Sequence, residues 1–208
     1  MKSRSASKIT LTSYDDLLGG AATLEDVREV AIDELHSFTD HPFKVKDDEE
    51  MKELVESVKA QGILTALLVR PLKKGGYEII SGHRRKHAAE LAGLKQVPVI
   101  VREMDKDSAV QAMVDSNLQR ENILPSEKAF AYKMKLEAVK HQGVSGANSA
   151  KKVGKSSNDS SRQVYRYIRL TYLMNTLLKA VDENIIKLQT GEQLSYLSII
   201  EQEMVEEV

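Results

Sequence analysis

The stretch IISGHRRKHAAELAGL, Ile79 to Leu94, constrains the fold most, because it has to pass from strand to helix across a single glycine. Tyr77, Ile79 and the alternation around them predict a short strand. Gly82 permits a positive φ or a close backbone approach, and Arg84 to Leu94 has helical composition punctuated by Gly93. The helix is therefore expected to begin at the turn. Amides at a helix start lack intrahelical partners and lie at the positive end of the dipole, so they favour phosphate. Arg84 and Arg85 add guanidinium forks that bind such a group bidentately, as lysine cannot. On the plainer reading the two arginines are solvated, although the dipole disfavours cations at that end.

A second motif strengthens the anion reading. In SNLQREN, Ser116 to Asn122, an amide and a third arginine follow the apolar residues Ala109, Val110, Met113 and Val114 at helical spacing. A helix from about Lys106 presents Met113, Asn117 and Arg120 on one side, three and four residues apart, and breaks before Leu124-Pro125. Polar groups so placed need a partner. They could instead cap the helix and bond a neighbouring loop.

The remaining segments predict scaffold. Met51, Leu54, Val55 and Val58 form one amphipathic face, and the acidic run at 47–50 suits a helix start. Ile63 to Pro71 and Val97 to Arg102 read as strands, the second marked by Pro98 as an edge. Pro125 should open a helix to about Gln142, with Phe130, Met134, Leu136 and Val139 in the core. Gly143 to Asn148 is the hinge candidate. Tyr172 to Ile186 and Thr190 to Val208 look helical, and the first twenty residues read as a loosely docked arm.

Composition bounds the function. No run approaches the ~18 apolar residues that a membrane helix needs, and no apolar signal segment opens the chain. Zero cysteines exclude disulfides, thiol catalysis and cysteine zinc sites, and suit the cytoplasm. The net charge of -1 hides segregation: Lys151 to Leu170 carries six bases and one acid, whereas Asp182 to Val208 carries seven acids and one lysine. The basic segment is a candidate DNA surface.

From roughly Ala31 to Tyr172 the chain resembles the ParB/RepB/Noc (Spo0J-like) partition family, in the divergent branch often found on mobile elements. The matching pieces are MKELVESVKAQGILTALLVRP at 51–71, GYEIISGHRRKHAAELAGLKQVPVIVREMD at 76–105, SNLQRENILPSEKAFAY at 116–132 and KKVGKSSNDSSRQVYRYIRL at 151–170. The resemblance implies an α+β protein, with a small sulfiredoxin-like α/β domain followed by an all-helical domain. It also implies CTP with Mg2+ as cofactors, and a dimeric clamp that loads on a palindromic site in double-stranded DNA. Carried over by position, Gly82, His83, Arg84 and Arg85 fall in one phosphate motif and Asn117, Gln119 and Arg120 in the other. Gln61 and Gly62 fall in the stretch, to Leu64, where relatives contact the nucleotide base or line its pocket. Asn117 and Glu121 are the metal candidates. Two acids usual in the family are replaced, by His83 and by Ser116, which puts nucleotide hydrolysis in doubt and leaves the catalytic residues unassigned. A sulfiredoxin-type reductase is excluded, since Gly82 stands where its cysteine is required.

Within the basic segment, Ala150, Val153 and Gly154 resemble the first helix and turn of a helix-turn-helix at about 144–172. On the following helix Arg162, Gln163 and Arg166 share an arc that could reach base edges, while Lys151, Lys152 and Lys155 would meet phosphates. The connection KSSNDS is about four residues longer than the usual tight turn. The expected organisation is an arm at 1–29, a nucleotide-binding domain at 30–120 and a helical DNA-binding domain at 121–208. The expected function is partition of a chromosome, plasmid or mobile element by a cytoplasmic, nucleoid-associated homodimer that meets a ParA-type ATPase and no membrane. The alternatives are a helix-turn-helix transcriptional regulator without a CTP switch and a ParB-like nuclease; the latter would need clustered carboxylates around a metal.

Overall fold

Gly82 does separate a strand from a helix, and the two elements it joins are part of an α+β architecture. The structure, a computed structural model, describes residues 27–120, 122–143, 147–155 and 157–206. The strands are β1 (Val27–Ala31), β2 (Leu35–His36), β3 (Leu67–Pro71), β4 (Tyr77–Ser81) and β5 (Gln96–Val101). They form one mixed sheet in the order β1-β5-β3-β4-β2. Helix α1 (Glu49–Gln61) precedes β3, α2 (His83–Ala92) follows β4, and α3 (Lys106–Leu118) follows β5. A helical part continues with α4 (Pro125–His141), α5 (Ala147–Lys155), α6 (Ser161–Arg169), α7 (Asn175–Asp182), α8 (Leu188–Leu194) and α9 (Ile199–Glu206).

Strand alternation places the two faces of the sheet in different cores. Ile79, Val69, Leu67, Val97 and Val99 pack with Met51, Val55 and Val58 of α1 and with Ala88 and Ala89 of α2. Ile80, the next residue of β4, belongs instead to a cluster with Ala109, Met113 and Val114 of α3, Tyr132, Leu136 and Val139 of α4, and Val153 and Val164 of the following pair. Each such fully buried aliphatic side chain contributes roughly 1.5–3 kcal/mol relative to exposure. A third cluster joins Ala129 of α4 to Leu170, Leu177, Leu178 and Val181. Helix α4 therefore contributes to both clusters of the helical region and packs against α3, α5, α6 and α7.

Local chemistry explains the boundaries. Asp48 caps α1 by accepting from the Met51 amide at 3.0 Å, and Asp105 caps α3 through the Ser108 amide. Helix α2 ends at Gly93, whose φ of 79° is the left-handed stop that glycine adopts without cost. Arg70 and Glu78 face each other across β3 and β4, paired at 2.6 Å and largely buried.

Several sequence expectations need correction. The sheet starts at Val27, three residues inside the expected arm, and β1 pairs antiparallel with β5 from Val27 to Ala31; the arm proper, 1–26, lies outside the described residues. Because β1 occupies that side, β5 is interior rather than an edge. Pro98 is tolerated because the ladder with β3 begins only at Val99. Strand β3 begins at Leu67, not Ile63. Phe130 is 40% exposed, since α4 turns its other sides to α3, to α5 and α6, and to α7. The last helical stretch is two helices, α8 and α9, and the helix expected from Tyr172 runs only from Asn175 to Asp182. Of the hinge candidate, Gly143 has φ 84° and α5 begins at Ala147, while 144–146 lie outside the described residues.

Candidate functional site

Gly82 is at φ 110° and a Cβ there would meet Leu67 Cγ at 2.7 Å, so the start of α2 can approach β3 only with glycine present. The glycine itself has no side chain to cap with, leaving the first turn of α2 to other partners. Arg84 points back to the start of α1, 3.2 Å from Glu50 and 3.7 Å from Asp48. Arg85 turns the other way. Its Nη1 donates to the carbonyls of Thr65 and Ala66, the latter at 2.7 Å, and so pins the loop between α1 and β3. That loop begins at Gln61, the exposed last residue of α1, and Gly62, whose φ of 70° ends the helix.

The second motif arrives at the end of α3. Asn117 is buried, and its amide nitrogen donates to the Met113 carbonyl at 2.8 Å. Gln119 is the exposed C-cap residue, and Arg120 follows with its amide bonded to the Asn117 carbonyl. The Arg120 guanidinium lies 5.9 Å from the centre of the Phe43 ring. Arg120 keeps an exposed surface, yet partial desolvation of its guanidinium, then the charge of Arg84, lowers its pKa. Arg84 and Arg120 thus converge from two segments, while Arg85 supports the site from behind its loop. Ser116 donates to the Met113 carbonyl of its own helix at 2.9 Å.

Two histidines complete the cluster. His83, the first residue of α2, is 7% exposed and its ring stacks on His41 with centroids 3.8 Å apart. Burial drives the His83 pKa down to about 3, helped by repulsion from His41, Arg120 and Lys86. His41 is shifted down as well, mainly by burial and despite its bond to the Phe43 carbonyl. Among the described residues, the buried side-chain polar atoms without a hydrogen-bond partner are His41 Nε2, His83 Nε2 and Asn117 Oδ1. The two ring nitrogens belong to this cluster, and Asn117 lies on the helix that leads to Arg120. Such orphaned atoms cost roughly 1–3 kcal/mol each, which a bound polar ligand or water would recover.

His41 was not anticipated, since it stands in a polar connection with no periodicity. The flanking Phe38 and Phe43, both 3% exposed, are the signal that this segment is packed inward. For magnesium the described residues supply little: no group of three or more His, Cys, Asp or Glu is placed to hold a metal, and Glu121 lies outside the described residues. A neutral amide oxygen is a poor substitute for the carboxylates magnesium usually takes.

The candidate DNA residues occupy α5 and α6. Lys151, Lys152, Lys155 and Arg162 are exposed, and Lys152 and Lys155 line a cleft of about 320 Å³ with Gln111, Asp115 and Lys135. Arg166 is half-buried, held by Glu192 of α8 at 2.5 Å and by Gln163 at 3.1 Å. Ser160 caps α6 through the Gln163 amide. The described residues of the long connection are tied to α4 and to Gly154. A Cβ on Gly154 would stand 2.2 Å from the Asp159 carbonyl oxygen, Tyr132 bonds both Ser157 and Asp159, and Lys128 pairs with Asp159 at 2.7 Å.

Comparison with known proteins bears on family and fold. Residues 19–118 match the family model described as ParB N-terminal domain. Stage 0 sporulation protein J of Bacillus subtilis is 38% identical over 170 residues, covering 82% of this chain and 57% of that protein. The crystal structure of C-terminally truncated chromosome-partitioning protein ParB from Caulobacter crescentus, complexed to the centromeric parS site, aligns with TM-score 0.55 and 26% identity, covering 86% of this chain and 97% of that one. A structure of the same Caulobacter protein complexed with CTP-gamma-S aligns with TM-score 0.43 over 84% of this chain and 94% of that one, at 26% identity. The chain spans just over half the length of the first curated relatives, 58% and 57%.

Proposed function

The chain belongs to the ParB family, and from that premise we propose that it is a DNA-binding partition protein whose N-terminal site takes a nucleoside triphosphate. The observation that carries the nucleotide reading is the convergence of Arg84 and Arg120 beside His83 and His41 at the uncapped start of α2, with ring nitrogens left buried and unpartnered. Helix-start amides and two guanidinium groups suit a polyphosphate. The base, cytosine, and the magnesium ion rest on the family resemblance; magnesium would enter on the triphosphate, not in a protein cage. With Ser116 bonded to its own helix and His83 in place of an acid, hydrolysis is expected to be weak or absent.

Helices α5 and α6 form the proposed helix-turn-helix. Exposed Lys151, Lys152 and Lys155 would meet phosphates and Arg162, Gln163 and Arg166 the groove. Dimerisation, sliding-clamp closure and a ParA-type partner follow from the resemblance and belong to the same proposal.

Titration of labelled CTP tests the pocket. Arg120→Ala should weaken binding by about tenfold or more, the loss typical of a charge-assisted hydrogen bond. Equal affinity for the two proteins removes the pocket from the reading. For the DNA face, replacing Lys151, Lys152 and Lys155 together by alanine should lower the salt dependence of binding by about three phosphate equivalents; an unchanged slope would place the DNA elsewhere.

A further inference from the structure

The stacked histidines pose a problem that the nucleotide reading does not solve. His41 Nδ1 lies 2.8 Å from the Phe43 carbonyl, an acceptor, so in the neutral ring that nitrogen carries the hydrogen. Its Nε2 is then a bare lone pair, and it is buried without a partner. His83 Nε2 is buried and unpartnered beside it, with the rings 3.8 Å apart at an interplanar angle of 41°. A lone pair facing a phosphate oxygen repels it. A protonated ring turns the same atom into a donor.

Arg120, beyond the end of α3, repels a proton on either ring, and Lys86, one turn along α2, acts on His83 in the same sense. Glu127 at the start of α4 attracts a proton to His41, as does the Phe43 carbonyl. Both Glu127 oxygens are already engaged, by the Lys44 amide at 2.9 Å and the Leu124 amide at 3.2 Å. In the free protein burial, helped by these cations, keeps the pair neutral. A polyphosphate seated on Arg84 and Arg120 would offset those cations and bring several negative charges to the rings.

We infer that His41 and His83 form a proton-charged subsite of the anion pocket: as the polyphosphate enters, the pair takes a proton from solvent and meets it with an Nε2–H donor. This rests on the nucleotide reading and adds to it a linkage between pH and affinity. One proton is bound per ligand and no other bond is made or broken. By linkage the affinity rises as pH falls through the pKa of the occupied site, by up to tenfold per pH unit.

The test is calorimetric titration of CTP, with magnesium, from about pH 6.5 to about pH 8.5 in buffers of different ionisation enthalpy. The expected result is affinity about tenfold higher at the acid end, with roughly one proton taken up per nucleotide there. His41→Gln and His83→Gln, each used independently so that a fold defect in one does not decide the matter, should each flatten the profile to within about twofold. A flat wild-type profile with CTP bound overturns the inference and leaves the nucleotide reading intact. Wild-type pH dependence retained in both variants also overturns it, since the proton then goes elsewhere, as onto the triphosphate itself. Absence of CTP binding at every pH overturns the nucleotide reading and this inference with it.

Discussion

Without ligand, the buried His83 should make the fold acid-labile in a window set by its own titration. In the unfolded chain the imidazole has its ordinary value of 6.5, whereas burial and the neighbouring cations lower the folded value to about 3. The folded pKa is depressed, so below the unfolded value the unfolded chain binds the extra proton. Stability is lost as pH falls from 6.5 towards 3. Between about pH 7 and pH 5 this single group costs roughly 2 kcal/mol. For a chain of this size that is a fall of about 4–8 °C in the melting midpoint. Thermal melts of wild type and His83→Gln at the two pH values measure it, because the glutamine cannot titrate and the other groups titrate in both proteins. The variant should lose about 2 kcal/mol less over the interval. Equal losses would refute the argument that His83 is held neutral by its surroundings. Saturating nucleotide should reverse the sign of the difference, since the occupied site would then hold the proton that the empty one refuses.

Two further changes test the rest of the structure. Gly154→Ala drives a methyl group into the Asp159 carbonyl 2.2 Å away, a backbone atom that cannot step aside, and should cost about 2–4 kcal/mol in denaturant unfolding; a loss near zero would mean that the α5–α6 connection is not closed as described. Glu192→Gln removes the carboxylate that orients and neutralises Arg166. It should raise affinity for random DNA by about threefold or more while reducing preference for the cognate site, and competition binding with an unchanged preference would show that Arg166 needs no such support.

How much of this was legible in the sequence depended on whether the signal was local. The turn at Gly82, the capped start of α1 and the proline-led α4 are each set by residues within a few positions of one another, and each appears close to its expected place. Strand β1 was hidden because its neighbour in the sheet, β5, comes some seventy positions later, and the polar Arg28 and Glu29 disguise a strand that buries Val30 against it. The same hidden neighbour made Pro98 look like an edge residue. Arg84 and Arg85 are adjacent and chemically alike, and nothing local distinguishes the one near Arg120 from the one holding the carbonyls of Thr65 and Ala66. His41 is the sharpest case. Its partner lies forty-two positions away, and its role is set by burial that only the inward-facing Phe38 and Phe43 foreshadow.

Helix α4 gives the two proposed sites a shared physical element. At its first turn Glu127 holds the amides of Lys44 and Leu124 and lies near His41 and Arg120. One residue on, Lys128 pairs with Asp159, and a turn later Tyr132 bonds Asp159 and Ser157 within the α5–α6 connection. A ligand that changes the charge at the start of α4 would therefore act within two turns of the groups that hold the connection between the proposed DNA helices α5 and α6. Such adjacency is a route and not yet a measured coupling. Tyr132→Phe distinguishes the two: it keeps the buried ring, fully enclosed in wild type, and deletes only the hydroxyl that reaches Ser157 and Asp159. If α4 transmits the signal, the variant should bind CTP as wild type does and fold at a cost of about 1–2 kcal/mol, yet show a smaller effect of CTP on DNA affinity. An undiminished effect in the variant would mean that the two sites communicate by another path.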